Sequence, residues 1–207
     1  MRKIIIIALF SFLCFNNIFA LEKKDVQAYI DNSFAKLTSL GADFTDLNNK
    51  LNSGYIKAMK GNKYRINSRD RVIVCDGKKI WNYSIKDNKV LISKFDNDRN
   101  SLSLENIFFD ILKNSKLKTL KKETSTNKNF NKLYAADFEI SEADKQKYKV
   151  DKLKIMLDEQ KNIKYLIFNY KSESQQIQVN FLSLNKKMKD SDFKFKAPKK
   201  CEVIELD

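Results

Sequence analysis

The sequence predicts an α+β domain: an incomplete, half-open antiparallel β-barrel of about eleven strands, with helices closing its concave face. Three observations predict it. From residue 42 onward the hydrophobic period is two, in short runs rich in β-branched and aromatic side chains with polar clusters between them. The gaps are only a few residues long, so consecutive strands pair as hairpins. Two segments with helical spacing, one before the strands and one among them, carry apolar stripes that need a partner face. A sheet of this size curls under its accumulated twist, and a helix over the concave side buries both apolar surfaces.

The first twenty residues stand apart from this domain. Arg2 and Lys3 precede an uncharged apolar run from Ile4 to Phe15, Asn16 and Asn17 interrupt it, and Ile18-Phe19-Ala20 ends on a small residue. This is the pattern of a cleavable secretory signal peptide over 1–20, followed by one exported domain over 21–207. The run is too short to span a hydrocarbon core of roughly 30 Å. Lipoprotein processing at Cys14 is not expected, because the large Leu13 precedes it.

In the mature chain, Val26, Ile30, Phe34 and Leu37 share one helical face with Tyr29 beside them, and Gly41 is expected to end the helix. Strand-like runs follow at 42–47, 54–59, 63–67, 71–75, 80–84 and 89–94. Asp76-Gly77 is the clearest hairpin turn, since an Asp-Gly pair supplies the positive φ that a tight turn requires. Ser103 is a candidate N-cap for a second helix over 103–113, where Leu104, Ile107, Phe108, Ile111 and Leu112 form an apolar stripe. A polar connection over 114–132 holds one strand near 117–122. Strands resume at 133–141, 152–158, 163–170 and 177–183, with a turn at Lys161-Asn162, and a last one lies at 202–205 after Phe193-x-Phe195-x-x-Pro198.

Composition excludes several chemistries. The chain has no histidine, which removes Ser-His-Asp and Cys-His catalysis and imidazole metal sites. Its four glycines, Gly41, Gly54, Gly61 and Gly77, form no phosphate-binding loop. No metal and no cofactor are expected, and no residue pattern calls for an enzyme, though composition leaves one open. Cys75 and Cys201 remain after the signal, and spacing leaves open whether they form a disulfide or two separate thiols. The formal charge is +14. The lysines are scattered and often alternate with apolar residues, as in Lys152-Leu153-Lys154-Ile155, which is how a solvated sheet face reads. Export argues against nucleic acid as the partner.

The order signal, amphipathic helix and Ala42-Asp43-Phe44-Thr45 is followed by a run from Gly54 to Ile66 (GYIKAMKGNKYRI) and a hairpin from Arg71 to Tyr83 (RVIVCDGKKIWNY). With the C-terminal Phe193-Lys194-Phe195-Lys196-Ala197-Pro198, this arrangement resembles the LolA family of outer-membrane lipoprotein carriers over almost the whole mature chain. The resemblance implies a half-barrel closed by helices, located in the periplasm. It implies a monomer that takes acylated lipoproteins from an inner-membrane ABC transporter and shields their acyl chains. It then releases them to an outer-membrane acceptor of LolB type, or to the outer membrane itself. On it, Tyr64 and Ile66 point into the acyl-chain cavity, with Phe44, Met59, Trp81 and Tyr83 as further candidates, and Ile107, Phe108 and Ile111 line the lid. Family members tether the lid through an Arg-Pro step; Lys60-Gly61 stands there in this chain, and lysine lacks the planar fork of arginine. The alternatives are a related lipid or lipoprotein sensor, a carrier of other lipids or glycolipids, and a basic secreted protein that docks an anionic membrane.

Overall fold

The computed structural model describes residues 21–96, 104–124, 132–170 and 173–206. The signal segment, Ser103 and residues 125–131 of the polar connection lie outside the described residues. The chain opens with helix α1 (Lys23–Phe34), followed by strands β1 (Ser39–Asp46), β2 (Gly54–Met59), β3 (Lys63–Ser68), β4 (Arg71–Asp76), β5 (Lys79–Ser84) and β6 (Lys89–Lys94). A helical segment follows in three pieces: an α turn, α2 (Leu104–Asn106), a π-helical stretch (Ile107–Ile111) and a second α turn, α3 (Leu112–Asn114). Then come β7 (Lys116–Thr124), β8 (Lys132–Glu139), helix α4 (Glu142–Tyr148), β9 (Lys152–Leu157), β10 (Ile163–Asn169), β11 (Ser174–Leu184) and β12 (Glu202–Leu206).

The twelve strands among the described residues form one sheet in the order β12-β6-β5-β4-β3-β2-β1-β11-β10-β9-β8-β7. The sheet is mixed but mostly antiparallel, and it does not close into a barrel, because β12 and β7 remain its two edges. Two pairings depart from the hairpin expectation: β1 lies antiparallel to the distant β11, and β12 lies parallel to β6, with Val203 opposite Val90. A five-residue run carries no signal of strand direction, and the segment between Phe193 and Cys201 is long enough to return the chain to that edge. The opposite edge, β7, is protected by charge, with Lys116, Lys118, Lys121 and Lys122 exposed along it.

The expected α1 face is buried, with Val26 and Ile30 at 0% exposure. Gly41 does not end the helix. α1 stops at Phe34, a turn carries the buried Leu37, and Gly41 lies inside β1 opposite Lys57 and Ser183. The Asp76-Gly77 turn is present: Gly77 has φ +91° and Asp76 Oδ1 accepts from the N–H groups of Lys78 and Lys79 at 2.8 Å each. At the other predicted turn, Lys161 has φ +65°, and Asp158 caps the loop by accepting from Asn162 N–H at 2.8 Å. Lys164 at 3.2 Å and these hydrogen bonds hold the Asp158 carboxyl below its ordinary value, against the opposing pull of desolvation.

One hydrophobic core fills the concave side. It joins α1, the 104–114 segment and inward residues of the strands, among them Ile56, Phe138, Ile155, Leu166 and Phe168. The stripe expected on the second helix is buried: Ile107, Phe108, Ile111 and Leu112 are each at most 1% exposed. The π-helical turn widens the face that an ordinary helix would present. Phe108 stacks on Phe34 of α1, with ring centroids 5.7 Å apart. No helix among the described residues is long and apolar enough to cross a membrane.

Candidate lipid-binding cavity and its lid

Strand register decides which residues can face a ligand. Ala58 lies opposite Tyr64, and Tyr64 opposite Cys75; Ile56 lies opposite Ile66, and Ile66 opposite Ile73. Directly opposed residues share a face, so Tyr64, Ile66, Ile73 and Cys75 stand on the concave side with the buried Ile56 and Ala58. Tyr64 and Ile66 are half-buried and packed against the core.

A cavity of about 270 Å³ opens at the rim where β1 ends and β4 begins. Its wall is Phe44, Ile66, Ile73, Phe168 and Ile177, and Ile107 of the π-helical turn closes it from above. The mouth is polar, formed by Asp46, Asn52, Ser68, Arg71 and Gln175. Asp46, only 1% exposed, organises this rim. Its Oδ1 accepts from the backbone N–H groups of Asn48 and Asn49 at 2.9 and 3.0 Å, and its Oδ2 from Asn52 Nδ2 at 3.2 Å and Gln175 Nε2 at 3.3 Å. Arg71 pairs with the neighbouring Asp70 at 3.3 Å. The arrangement can take an apolar chain with a polar end.

The candidates divide across this geometry. Phe44, Ile66 and Ile107 meet in the cavity. Tyr64 stands one residue pair away on the same face, and Phe108 and Ile111 are sealed into the core above it. Trp81 and Tyr83 lie on the other face: Trp81 pairs with Val74 and Tyr83 with Val72, one residue out of phase with Cys75 and Ile73. There Tyr83 packs on Phe195, with centroids 5.8 Å apart, and donates to Asn88 Oδ1 at 3.1 Å. The C-terminal segment covers this outer wall; Lys63 Nζ meets Asp190 at 2.8 Å, and Arg65 Nη1 donates to the Lys194 carbonyl at 3.4 Å. Alternation puts Trp81 and Tyr83 on one face correctly, but the concave side is defined by register across strands.

Met59 and Lys60 border a separate, polar cavity of about 210 Å³, beside Phe109, Asp110 and Lys113. The Lys60 side chain is exposed and its backbone N–H donates to the Thr38 carbonyl at 3.0 Å. Among the described residues its ammonium makes no hydrogen bond to the 104–114 segment. Gly61 beside it has φ +87°, a conformation closed to proline, so this turn is built differently from an Arg-Pro step. Contacts that hold the helix come from elsewhere. Tyr148 of α4 donates its hydroxyl proton to Asp110 Oδ2. Burial, and then the adjacent Asp110 carboxylate, push the Tyr148 phenol far above its ordinary value, so the proton stays on the donor. Gln27 of α1 accepts from Leu117 N–H at 2.6 Å, and Ser115 Oγ donates to the Ile111 carbonyl at 2.6 Å.

Cys75 and Cys201 are both free thiols. Cys75 is on β4 and Cys201 immediately precedes β12, with β5 and β6 between them, so they are at least roughly 14 Å apart across the strands alone at about 4.8 Å per strand. No disulfide bridges that distance. Among the described residues no three Cys, Asp or Glu side chains gather as a metal site.

The sequence reading missed the polar mouth and the α4 contact. Asp46 is the last residue of β1 and Arg71 the first of β4, and neither belongs to a motif of its own. α4 was missed as well, although Ser141-x-x-Asp144 is a signal that could have found it: the Ser141 hydroxyl accepts from Asp144 N–H at 3.1 Å as an N-cap. Tyr148 is its one buried residue, too few to set a period.

The family model described as outer membrane lipoprotein carrier protein LolA matches residues 35–196. No curated protein sequence matches. Among solved structures, an uncharacterized conserved protein from Thermus thermophilus superposes with a TM-score of 0.52 at 11% identity, covering 88% of this chain and 98% of that one. LprF from Mycobacterium bovis gives a TM-score of 0.42 at 11% identity, covering 81% and 95%. A Vibrio parahaemolyticus domain described as an outer membrane lipoprotein-sorting protein gives 0.41 at 10% identity, covering 83% and 94%. The Thermus thermophilus protein shares the fold. The family match runs from the end of α1 past Phe193, across both the cavity and the helix above it, and the chain belongs to the LolA family, whose members are periplasmic, non-catalytic carriers.

Proposed function

We propose that this chain is a soluble periplasmic carrier that takes acylated lipoproteins released at the inner membrane and delivers them to the outer membrane. The observation that carries the reading is the apolar cavity of about 270 Å³ capped by Ile107 and rimmed by polar side chains. An acyl chain leaves water at about 0.8 kcal/mol per methylene, on the order of 10 kcal/mol for a chain of about sixteen carbons. Acylated cargo therefore needs a shield throughout its passage. The cavity is just below the roughly 300 Å³ at which ligand pockets begin, which fits a closed form of such a carrier. Loading lifts the 104–114 segment and exchanges its contacts with the sheet for contacts with lipid, which keeps the net binding energy small enough to reverse.

Phe44, Ile66 and Tyr64 form the lipid-contacting wall, and Ile107, Phe108 and Ile111 form the displaceable lid. An ATP-driven transporter at the inner membrane and an acceptor at the outer membrane are the partners this cycle calls for. The test compares a native acylated lipoprotein with its deacylated form in pull-down and sedimentation. Retention of the acylated form alone, in solution, supports the reading; equal binding to both forms, or to neither, refutes it.

A further inference from the structure

The rim around the cavity carries apolar side chains that the core does not use. Leu47 and Leu51 are 43% and 54% exposed in the loop that follows β1, and Ile85 is 45% exposed in the loop after β5. These loops are neighbours in space. Arg69 N–H donates to the Leu51 carbonyl at 3.3 Å, and Ile85 N–H donates to the Asp70 carbonyl at 2.9 Å. Asn52, Ser68 and Arg71 of the same rim line the cavity mouth.

Positive charge surrounds these three residues. Lys50, Arg69, Arg71 and Lys86 are exposed on the same loops. Exposed Lys199 and Lys200 join them, because Asn88 Nδ2 holds their carbonyls at 3.4 and 3.0 Å. Of the acids on this rim, Asp70 pairs with Arg71, Asp46 is buried, and Asp87 accepts from the Ser84 hydroxyl at 2.7 Å, so the exposed cations outnumber the exposed carboxylates. Short apolar side chains ringed by cations match a surface with anionic headgroups above an apolar interior. A flat protein partner would be read by a broader apolar patch with fewer charges.

We propose that this rim docks on an anionic phospholipid bilayer, with Leu47, Leu51 and Ile85 entering the headgroup layer and the basic side chains holding the phosphates. The docked orientation points the cavity mouth at the membrane, so an acyl chain passes between bilayer and carrier without crossing water. This step rests on the carrier reading for its purpose but not for its detection.

The experiment is co-sedimentation of the full mature chain with vesicles of phosphatidylglycerol and phosphatidylethanolamine, against vesicles of phosphatidylcholine alone. Binding to the anionic vesicles only, weakened by salt, is expected. The double variants L47S/L51S and K50E/K86E each weaken it about tenfold or more. Phe181→Ser is the matched control, since Phe181 is 47% exposed on β11, away from this rim, and it leaves binding unchanged. No binding to anionic vesicles, or equal losses in the control and the rim variants, overturns the proposal. Acylated lipoprotein is tested in parallel with the rim variants. If vesicle binding fails while lipoprotein is still held, the docking alone is wrong; if lipoprotein is not held while vesicles bind, the carrier reading alone is wrong.

Discussion

Tyr148→Phe removes a single oxygen, and with it the proton donated to Asp110 of the π-helical turn. The ring stays, so the packing of a side chain only 2% exposed is preserved. A hydrogen bond to a charged acceptor is worth about 1.5–3 kcal/mol. Asp110 is half-buried and regains water in the variant, which puts the loss at the low end, about 1.5 kcal/mol. That is roughly a tenfold shift between closed and open lid. If acyl chains enter only when the 104–114 segment lifts, apparent affinity scales with the open fraction. The variant then binds a fluorescent long-chain fatty acid roughly tenfold more tightly than the parent, although it melts at a lower temperature. Amide hydrogen exchange in residues 107–112 accelerates by about the same factor, while exchange in β9 and β10 does not. Unchanged exchange in the lid, or weaker acyl binding, refutes the latch.

Ile66→Glu puts a carboxylate on the cavity wall, and acyl binding is expected to fall by at least tenfold, with the fold retained by circular dichroism because Ile66 is half-buried and a charged end can reach the polar mouth. Gly54→Ala builds a Cβ 1.9 Å from the Asn67 carbonyl oxygen on the facing strand; the β2–β3 pairing must separate, and denaturant unfolding should report a loss above about 3 kcal/mol. Burial pushes the Cys75 thiol up from 9.0 to about 11, so at pH 8 a maleimide modifies Cys201 in the native protein and reaches Cys75 only after unfolding. The same shift has a signed effect on stability. Between pH 9 and about 11 the folded chain keeps a proton that the unfolded chain releases, so stability falls with rising pH in that window. A Cys75→Ser variant flattens this part of the profile.

Periodicity carried most of the fold because burial is local in this chain. The inward residues of α1, β1, β9 and β11 alternate or recur as an apolar side must. It carried the lid stripe too, since Ile107, Phe108 and Ile111 repeat at helical spacing, although the π-helical widening depends on the sheet they press against. What it could not carry was anything set between distant strands. Trp81 and Ile66 look equally suitable from sequence; only the chain of pairings through Val74 and Ile73 puts them on opposite sides. The direction of β12, the separation of Cys75 from Cys201 and the grasp of Tyr148 on Asp110 are tertiary facts of the same kind.

The sheet that never closes has a mechanical consequence. In a closed barrel the girth is set by strand number and stagger, and widening it means breaking a ladder. Here a seam separates β12 from β7, and every ladder can stay intact while the two flanks move apart. The wall is thus a cuff rather than a pipe, and its bore adjusts to what lies inside. Under the carrier reading proposed above, chains of differing number or length would share one binding site because the container has no fixed circumference.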